Sequence, residues 1–190
     1  MQSSATRQRF LTIRLVLASL LILPSLALAD DEAVVRPLVV GAAVPPITLL
    51  DQHDVPGEVP GDARVLLFSR SMTAAKILEK ALADNGPAEL AGAKAIVVSD
   101  IARMPGLVTR LIALPAMRRR SYRMLLDREG TLTASYPSVE DQVTWIRCDG
   151  GKVTQIEYFD SVEGLQAALR QLTGAASGTP VTTPSHGPAE

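Results

Sequence analysis

The segment RVLLFSRSMTAAKILEKALADN, residues 64–85, is the part of the chain that most strongly indicates a fold. Residues 65–68 are a continuous apolar run, which is typical of a strand covered on both faces of a sheet. Ser71 can then cap a helix whose apolar residues recur with helical spacing. Those residues are Ala74, Ile77, Leu78, Ala81 and Leu82. The segment therefore predicts a buried strand that runs directly into an amphipathic helix, which Asn85-Gly86-Pro87 ends.

Two further apolar runs predict strands on either side of a second helix. Residues 95–98 are a short continuous run, and residues 122–126 are apolar except for Arg123. Met104-Pro105-Gly106 opens the helix between them, and Pro115 ends or kinks it because proline lacks the N–H that a helix needs. The apolar positions of this helix include Leu107, Leu111 and Leu114. Strands and helices thus alternate, which predicts an α/β fold.

The last part of the predicted domain is a hairpin followed by a helix. Residues 143–148 and 153–159 are its two strands. Asp149-Gly150-Gly151-Lys152 joins them, because glycine accepts the positive φ of a tight hairpin turn. Asp160-Ser161-Val162-Glu163 resembles a capping box and opens the final helix, which Gly174 ends.

The N-terminal segment, residues 1–29, has the pattern of a secretory signal peptide. An arginine-rich start precedes a short apolar stretch, and Ala27-Leu28-Ala29 offers a small-x-small cleavage site. The alternative is an uncleaved N-terminal anchor, for which the apolar stretch is short. We therefore expect a periplasmic or secreted protein without stable membrane insertion after signal cleavage.

The expected organisation is a single domain, residues 30–174, followed by a disordered tail, residues 175–190. The 190-residue chain has a formal net charge of −1. Loss of the signal segment would remove three arginines and leave a mildly acidic protein at −4. Because this charge provides no basic field, we do not expect nucleic acid as a partner.

The central segment and two shorter motifs resemble the thioredoxin-like superfamily, in the branch that contains thiol reductases of the cytochrome-maturation type and peroxiredoxins. Leu49-Leu50-Asp51-Gln52-His53 with Gly57 resembles the N-terminal hairpin of that branch. Leu125-Leu126-Asp127-Arg128-Glu129-Gly130 resembles a later strand and turn. The resemblance covers residues 40–173 and implies a three-layer sandwich, with a central mixed sheet and helices on both faces.

The same resemblance indicates which reactive residues this sequence lacks. In the reductases, a strand ending in phenylalanine runs into a Cys-x-x-Cys at the helix start. Counting from Phe68 places those positions at Thr73 and Lys76. The cis-proline that faces the cysteines in that branch would match Ser121, where we expect a trans bond because the cis form is costly there. The resemblance therefore implies a redox-inactive member of the superfamily.

Cys148 is the only cysteine, so an internal disulfide and two-thiol exchange are both excluded. Its position at the end of a predicted strand, on the face of Ile146, favours a half-buried packing residue. The alternative function is an oxidoreductase of the thiol or peroxidase type that uses Cys148 or an unrecognised cofactor. We expect no cofactor, because the sequence has neither a Gly-x-Gly-x-x-Gly motif nor a phosphate loop.

The sequence predicts no metal site and no hydrolase triad. His53 lies in a predicted loop and His186 in the tail, and no Gly-x-Ser-x-Gly motif occurs. Asp51, Asp54 and Glu58 lie near His53 and could bind a cation weakly, but their spacing matches no calcium loop. His53 is therefore expected to be a solvated loop residue.

Seven arginines make residues 103–128 locally basic: Arg103, Arg110, Arg118, Arg119, Arg120, Arg123 and Arg128. One interpretation is a surface for an anion, a lipid headgroup or an acidic partner. The other is that these arginines complement the negative C-terminal ends of helices. The sequence leaves both interpretations open.

Our principal hypothesis is a secreted, redox-inactive thioredoxin-like protein that acts as a binding or accessory module. Its binding face would lie where the central helix and the strand of residues 122–126 both begin, since unpaired helix N–H groups and nearby cations suit an anion. The candidate residues are Ser71, Met72, Thr73, Lys76, Ser121, Tyr122 and Arg123. The expected partner is an envelope protein or a small anionic ligand, and no catalytic residue is assigned.

Overall fold

The computed structural model of the protein describes residues 35–176. The predicted signal segment and residues 177–190 of the predicted tail lie outside this range. Among the described residues, none of the helices has the length and apolar character that a membrane crossing requires.

Strands and helices alternate through most of the described range. The strands are β1 (Thr48–Asp51), β2 (Pro56–Glu58), β3 (Val65–Ser69), β4 (Ala95–Asp100), β5 (Met124–Asp127), β6 (Val143–Asp149) and β7 (Lys152–Phe159). The helices are α1 (Met72–Ala81), α2 (Gly86–Ala93), α3 and α4 (Val162–Ala176). Helix α3 has three consecutive parts, which are α-helical (Gly106–Val108), π-helical (Thr109–Ala113) and again α-helical (Leu114–Arg118).

The seven described strands form one mixed sheet in the order β2-β1-β5-β4-β3-β6-β7. The inner strands β3, β4 and β5 run parallel, while every other pairing in the sheet is antiparallel. All five residues of β3 are buried, as expected of a strand at the centre of a sheet that is covered on both faces. The predicted α/β fold with a central mixed sheet is confirmed.

Alternate residues of β3 enter two separate apolar clusters, one on each face of the sheet. Val65 and Leu67 pack in a cluster to which all four described helices contribute. Leu66 and Phe68 pack in a second cluster whose members come from the strands and from irregular segments, including Leu38 and Tyr136. The prediction placed helices on both faces of the sheet. In the described range, the four helices pack in the first cluster, and strands and irregular segments form the second.

The predicted strand-to-helix unit is confirmed in its details. The Ser71 hydroxyl caps α1 by accepting a hydrogen bond from the Ala74 N–H at 3.1 Å. The predicted apolar stripe of α1 is buried along its whole length, through Leu82. The sequence interpretation missed α2, because Pro87, which contributes to the stop signal, also occupies the first turn of the next helix.

The predicted hairpin between β6 and β7 is also confirmed, with Gly150 and Gly151 at φ values of 53° and 75°. Those positive values are the conformation that glycine adopts without strain. The predicted end of α4 is wrong, since the helix continues past Gly174 to Ala176. A glycine weakens a helix interior by only about 1 kcal/mol and therefore does not have to end it.

Helix α3 differs most from its sequence pattern. Leu107 and Leu111 are exposed, and only Leu114 and Met117 of this helix are buried. The Leu114 N–H donates to the Thr109 carbonyl five residues back, which is a π turn placed directly before Pro115. Proline lacks an N–H and clashes with the carbonyl four residues back, and the wider turn accommodates it. The additional residue rotates the first half of the helix by about 100° relative to the second half, away from the core.

Candidate functional site

The carboxyl ends of β3 and β4 open onto a cleft of about 460 Å³ at the start of α1. Polar and charged side chains form one wall, and Met72, Met104, Pro105 and Val139 supply apolar surface. The polar lining residues are Arg70, Ser71, Asp100, Arg103, Ser138 and Glu140. This cleft lies where adjacent parallel strands end, the edge at which open α/β sheets bind ligands.

Arg70 is held in a fixed position beside the cleft. Its Nε donates to the Asp100 carboxylate at 2.9 Å, and its two terminal nitrogens donate to the Thr133 carbonyl at 2.7 Å and the Ser138 hydroxyl at 3.1 Å. The guanidinium group also lies 5.1 Å from the ring centre of Phe68. Because these four contacts position the side chain, Arg70 forms part of the wall.

The buried polar groups around Arg70 satisfy one another. The hydroxyls of Ser69 and Ser99 share a hydrogen bond of 2.8 Å between β3 and β4. The Asp127 carboxylate accepts four hydrogen bonds, from the N–H groups of Glu129, Gly130 and Thr133 and from the Thr133 hydroxyl. These hydrogen bonds hold the strand ends and the turn at Thr133, whose carbonyl accepts from Arg70 in the cleft wall.

The start of α1 supplies the part of the cleft that remains open. The N–H groups of Met72 and Thr73 have no hydrogen-bond partner within residues 35–176, as expected for the first turn of a helix. Met72, Thr73 and Lys76 are exposed. Arg103 is exposed across the cleft and has no ion pair among the described residues. The structure thus places two predicted residues, Ser71 and Met72, in the cleft with two arginines that the binding hypothesis did not include. Thr73 and Lys76 are exposed on the following turn of α1 and do not line it.

The other three predicted residues lie elsewhere, and the prediction that they join this face is wrong. Strands β3, β4 and β5 run parallel, so the sheet has the beginning of β5 at one end of its strands and the end of β3 at the other. Ser121 precedes β5 and Ser71 follows β3, and the registers place them about 20 Å apart along the strand direction. Ser121, Tyr122 and Arg123 instead line a separate cavity of about 410 Å³ beside α2.

Tyr122 and Arg123 have structural roles at that opposite edge. The Tyr122 ring is buried against Gly86, where an added Cβ would approach it to 3.2 Å. The Arg123 guanidinium donates to the Asp51 carboxylate at 2.9 Å and to the Pro56 carbonyl at 2.8 Å. These contacts tie the β1–β2 hairpin to β5 and leave neither residue available to the start of α1.

The same topology corrects the position that would match the family's cis-proline. A residue that faces the start of α1 must precede a strand that begins at that edge of the sheet. Strand β6 does so, because it runs antiparallel to β3 with Thr144 opposite Phe68. Gln142 directly precedes β6 and lies at this end of the strands, whereas Ser121 precedes β5 at the other end. All peptide bonds in the described range are trans.

Comparison with known proteins agrees with this topology. No protein-family model and no curated protein matches the chain. Solved structures do match, among them the peroxidoxin BcpB of Mycobacterium tuberculosis, with a TM-score of 0.52, 20% identity and coverage of 74% of this chain and 99% of that one. The chain has a thioredoxin-like fold.

Two further solved structures have comparable similarity to this thioredoxin-like chain. One is a proposed protein disulfide isomerase of Bacteroides thetaiotaomicron, with a TM-score of 0.53, 14% identity and coverage of 74% and 92% of the two chains. The other is a proposed thiol:disulfide interchange protein, DsbE, of Chlorobium tepidum, with a TM-score of 0.51, 18% identity and coverage of 74% and 99%. At these identities the likeness establishes the fold and leaves function to the site.

Cys148 lies far from the start of α1 in this thioredoxin-like domain. Its N–H donates to the carbonyl of Arg64, directly before β3. The thiol therefore lies at the end of the strands opposite the cleft. The side chain packs in the cluster of Ile146, as the sequence predicted, but it is buried at 5% exposure rather than half-buried. Burial raises the pKa of the Cys148 thiol, which disfavours the reactive thiolate.

Two acidic residues of the β1–β2 hairpin, Asp51 and Asp54, are paired with arginines. Burial raises the pKa of Asp51, but hydrogen bonds from the N–H groups of Val55 and His53 and from Arg123 outweigh that effect, and the net shift is downward. Asp54 pairs with Arg128 at 2.6 Å, which is the main cause of its lowered pKa, and with Arg118 at 2.7 Å. No group of three metal-binding side chains occurs in the part of the chain that the structure describes. His53 is exposed, as predicted.

These pairs also decide between the two interpretations of the arginine-rich segment for part of its members. Arg118, Arg120, Arg123 and Arg128 each pair with an acidic side chain, namely Asp54, Glu79, Asp51 and Asp54 respectively. The charges of these four are paired with carboxylates, so they do not form an open anion surface, although Arg118 also lies in the last turn of α3. Arg103, Arg110 and Arg119 have no ion pair within residues 35–176.

Sequence reasoning missed Arg70, Asp100 and Arg103 as lining residues of the cleft. A signal for the first two was present, because Ser69-Arg70-Ser71 and Ser99-Asp100 directly follow two apolar runs. The carboxyl ends of parallel strands meet at one edge of a sheet, so these polar residues were bound to lie together once the pairing was known. The approach of Ser138 and Glu140 had no local signal.

Proposed function

We propose that this protein is an exported, redox-inactive thioredoxin-like domain that serves as a binding or accessory module, with the cleft at the start of α1 as its binding site. The resemblance above places the cysteines of the thiol enzymes on the first turns of α1, directly after the residues that line the cleft. Here those positions hold Thr73 and Lys76. Binding at a helix start needs no thiol, since the N–H groups alone attract negative charge.

The observation that carries the redox-inactive part is the position of Cys148. A thiol reaction at the cleft needs a sulfur within reach of a substrate bound there. The only cysteine is buried at the opposite edge of the sheet, about 20 Å away along the strand direction. Its raised pKa further disfavours reaction at neutral pH. This geometry supports a binding function over thiol turnover.

The charges around the cleft support an anionic ligand or an acidic peptide segment. Arg70 and Asp100 balance each other as a hydrogen-bonded pair. Arg103 is a cation without an ion pair in the described residues, and it lines the same cleft as Ser71 and Met72 at the start of α1. Glu140 also lines the cleft and would favour a ligand whose negative charge approaches from the side of Arg103.

An activity assay tests the redox-inactive part. The chain starting at Asp30 should neither reduce insulin disulfides nor consume peroxide, and Cys148→Ser should leave its binding properties unchanged. Thiol-dependent turnover that disappears in Cys148→Ser would instead establish the oxidoreductase alternative.

A binding assay tests the cleft. Fluorescence anisotropy with a labelled glutamate-rich peptide should give saturable binding that Arg103→Gln weakens. Thr73→Glu should abolish binding while keeping or slightly raising the melting temperature, since an acid in the first turn stabilises a helix. Gln171→Glu adds the same charge to exposed α4 and is the matched control. Equal affinity of the Thr73→Glu and Gln171→Glu proteins would remove the cleft as the binding site.

Export is tested separately from binding. Mass spectrometry of the protein from its native host should find Asp30 as the first residue, in an extracytoplasmic fraction recovered after a high-salt wash of the membranes. Retention of Met1 in a membrane fraction would favour the uncleaved anchor instead.

A further inference from the structure

Helix α3 presents a contiguous apolar surface at its beginning. Leu107, Leu111 and Ile112 are 74%, 72% and 66% exposed, and Val108 is 36% exposed. Their spacing places them on one side of the helix. Single exposed aliphatic residues are ordinary, whereas several on one face mark an interaction site. These four residues are called the α3 patch below.

The α3 patch follows from the internal geometry of the helix. The π turn over Thr109–Ala113 offsets the patch from Leu114 and Met117, which reach the core. A regular helix would place Leu107, Leu111 and Leu114 on one side, so the wide turn separates a packing half from an exposed half. Turns of this kind occur frequently at functional sites.

The charge around the α3 patch is positive. Arg110 lies within the same helical turn, Arg103 precedes the helix and Arg119 directly follows it. None of the three has an ion pair in the described range, although four other arginines of the segment do. No aspartate or glutamate occurs from residue 101 to residue 126. The unpaired cations of this segment therefore accompany the exposed aliphatic residues.

We propose that the α3 patch, together with Arg110 and Arg119, attaches the protein to the surface of a membrane that contains anionic phospholipid. Helices that lie in a membrane interface combine an apolar face with flanking cations, and their apolar residues enter only the boundary between headgroups and acyl chains. Each arginine near an anionic surface strengthens binding further. This inference goes beyond the proposed function, which concerns the cleft.

The size of the α3 patch favours a lipid surface over a protein partner or a second copy. The α3 patch spans residues 107–112, a stretch of helix about 9 Å long. A stable protein interface buries about 800 Å² of accessible surface and about 20–30 residues on each partner, which is more than four side chains provide. Interfacial binding to lipid needs only a few inserted aliphatic side chains and nearby cations.

Vesicle co-sedimentation of the chain starting at Asp30 tests this proposal. We expect binding to vesicles of mixed phosphatidylglycerol and phosphatidylcholine, weakened by added salt, and little binding to phosphatidylcholine alone. Arg110→Gln should weaken binding about fivefold, and Arg110→Gln with Arg119→Gln should weaken it more. Leu107→Ser with Leu111→Ser should reduce binding to the level of vesicle-free controls.

Matched variants distinguish the α3 patch from general surface effects. Arg170→Gln removes an exposed arginine of α4, and Val55→Ser removes an exposed aliphatic side chain of the hairpin. Both should bind as the wild type does, with circular dichroism confirming that every variant is folded. Equal binding to both vesicle types, or no loss in the Leu107→Ser, Leu111→Ser protein, would overturn the proposal. A different result would also overturn it: no vesicle binding by the wild type, together with a dimer in light scattering that becomes a monomer in the Leu107→Ser, Leu111→Ser protein.

Discussion

Helices α1 and α3 have similar apolar patterns in the sequence but use them in opposite ways. The stripe of α1 is buried along its length, and its first turn is capped by Ser71. The apolar residues of α3 are exposed in its first half, and no side chain caps its start at Pro105. The difference teaches that periodicity identifies a helix and an apolar face, while an interruption such as Pro115 decides whether that face reaches the core.

The largest expected effect comes from the same substitution made in both helices. Leu78→Ala should lower the free energy of unfolding by about 2–5 kcal/mol, because it leaves a cavity in the core. Leu111→Ala should change it by less than about 0.5 kcal/mol, because that side chain is exposed. Urea denaturation followed by circular dichroism measures both values. A large loss for Leu111→Ala would mean that this face packs against the protein in solution.

A smaller effect is expected at the capped start of α1. Ser71→Ala removes the acceptor for the Ala74 N–H and should cost about 1 kcal/mol of stability. Ser71→Asp should retain most of that stability, since aspartate is as good an N-cap as serine. The melting temperatures of the three proteins provide the measurement. Equal destabilisation of both variants would mean that Ser71 stabilises the protein by something other than its N-cap hydrogen bond.

The most subtle test addresses the cause of the exposed face. Pro115→Ala restores an N–H in α3 and should allow a regular helix, which turns Leu107 towards the core. To test this, Leu107→Cys is made in a Cys148→Ser background, with and without Pro115→Ala. The thiol at position 107 should react several-fold more slowly with a thiol reagent when Pro115→Ala is present. The control is Val55→Cys at an exposed position of the hairpin, whose reactivity should be the same with and without Pro115→Ala. An unchanged rate at position 107 would show that the π turn does not depend on the proline.

A pH series compares the hairpin with both helices. The folded state lowers the pKa of Asp51, so its stabilisation is present above the ordinary aspartate pKa of about 4 and is lost as the pH falls through the folded value. Asp51→Asn should therefore cost about 1–3 kcal/mol at neutral pH, and this difference from the wild type should shrink in acid. A difference that stays constant with pH would indicate that the charge of Asp51 does not matter.

The sequence determined the local units of this protein, because the forces that form them act between residues close in the chain. The buried strand, the Ser71 cap, the stripe of α1 and the glycine turn before β7 all depend on neighbouring hydrogen bonds and on side-chain periodicity. The packing role of Cys148 was predictable for the same reason, since it alternates with Ile146 along β6.

Only the tertiary structure decided which of these units meet. The order of strands in a sheet is set by pairing between distant residues, so the sequence placed Ser121–Arg123 beside α1 although β5 begins at the opposite edge. The ion pairs of the arginine-rich segment with Asp51, Asp54 and Glu79 span 41 to 74 residues and have no local signal. The exposure of the first half of α3 likewise depends on how a proline-induced turn sits against the finished core.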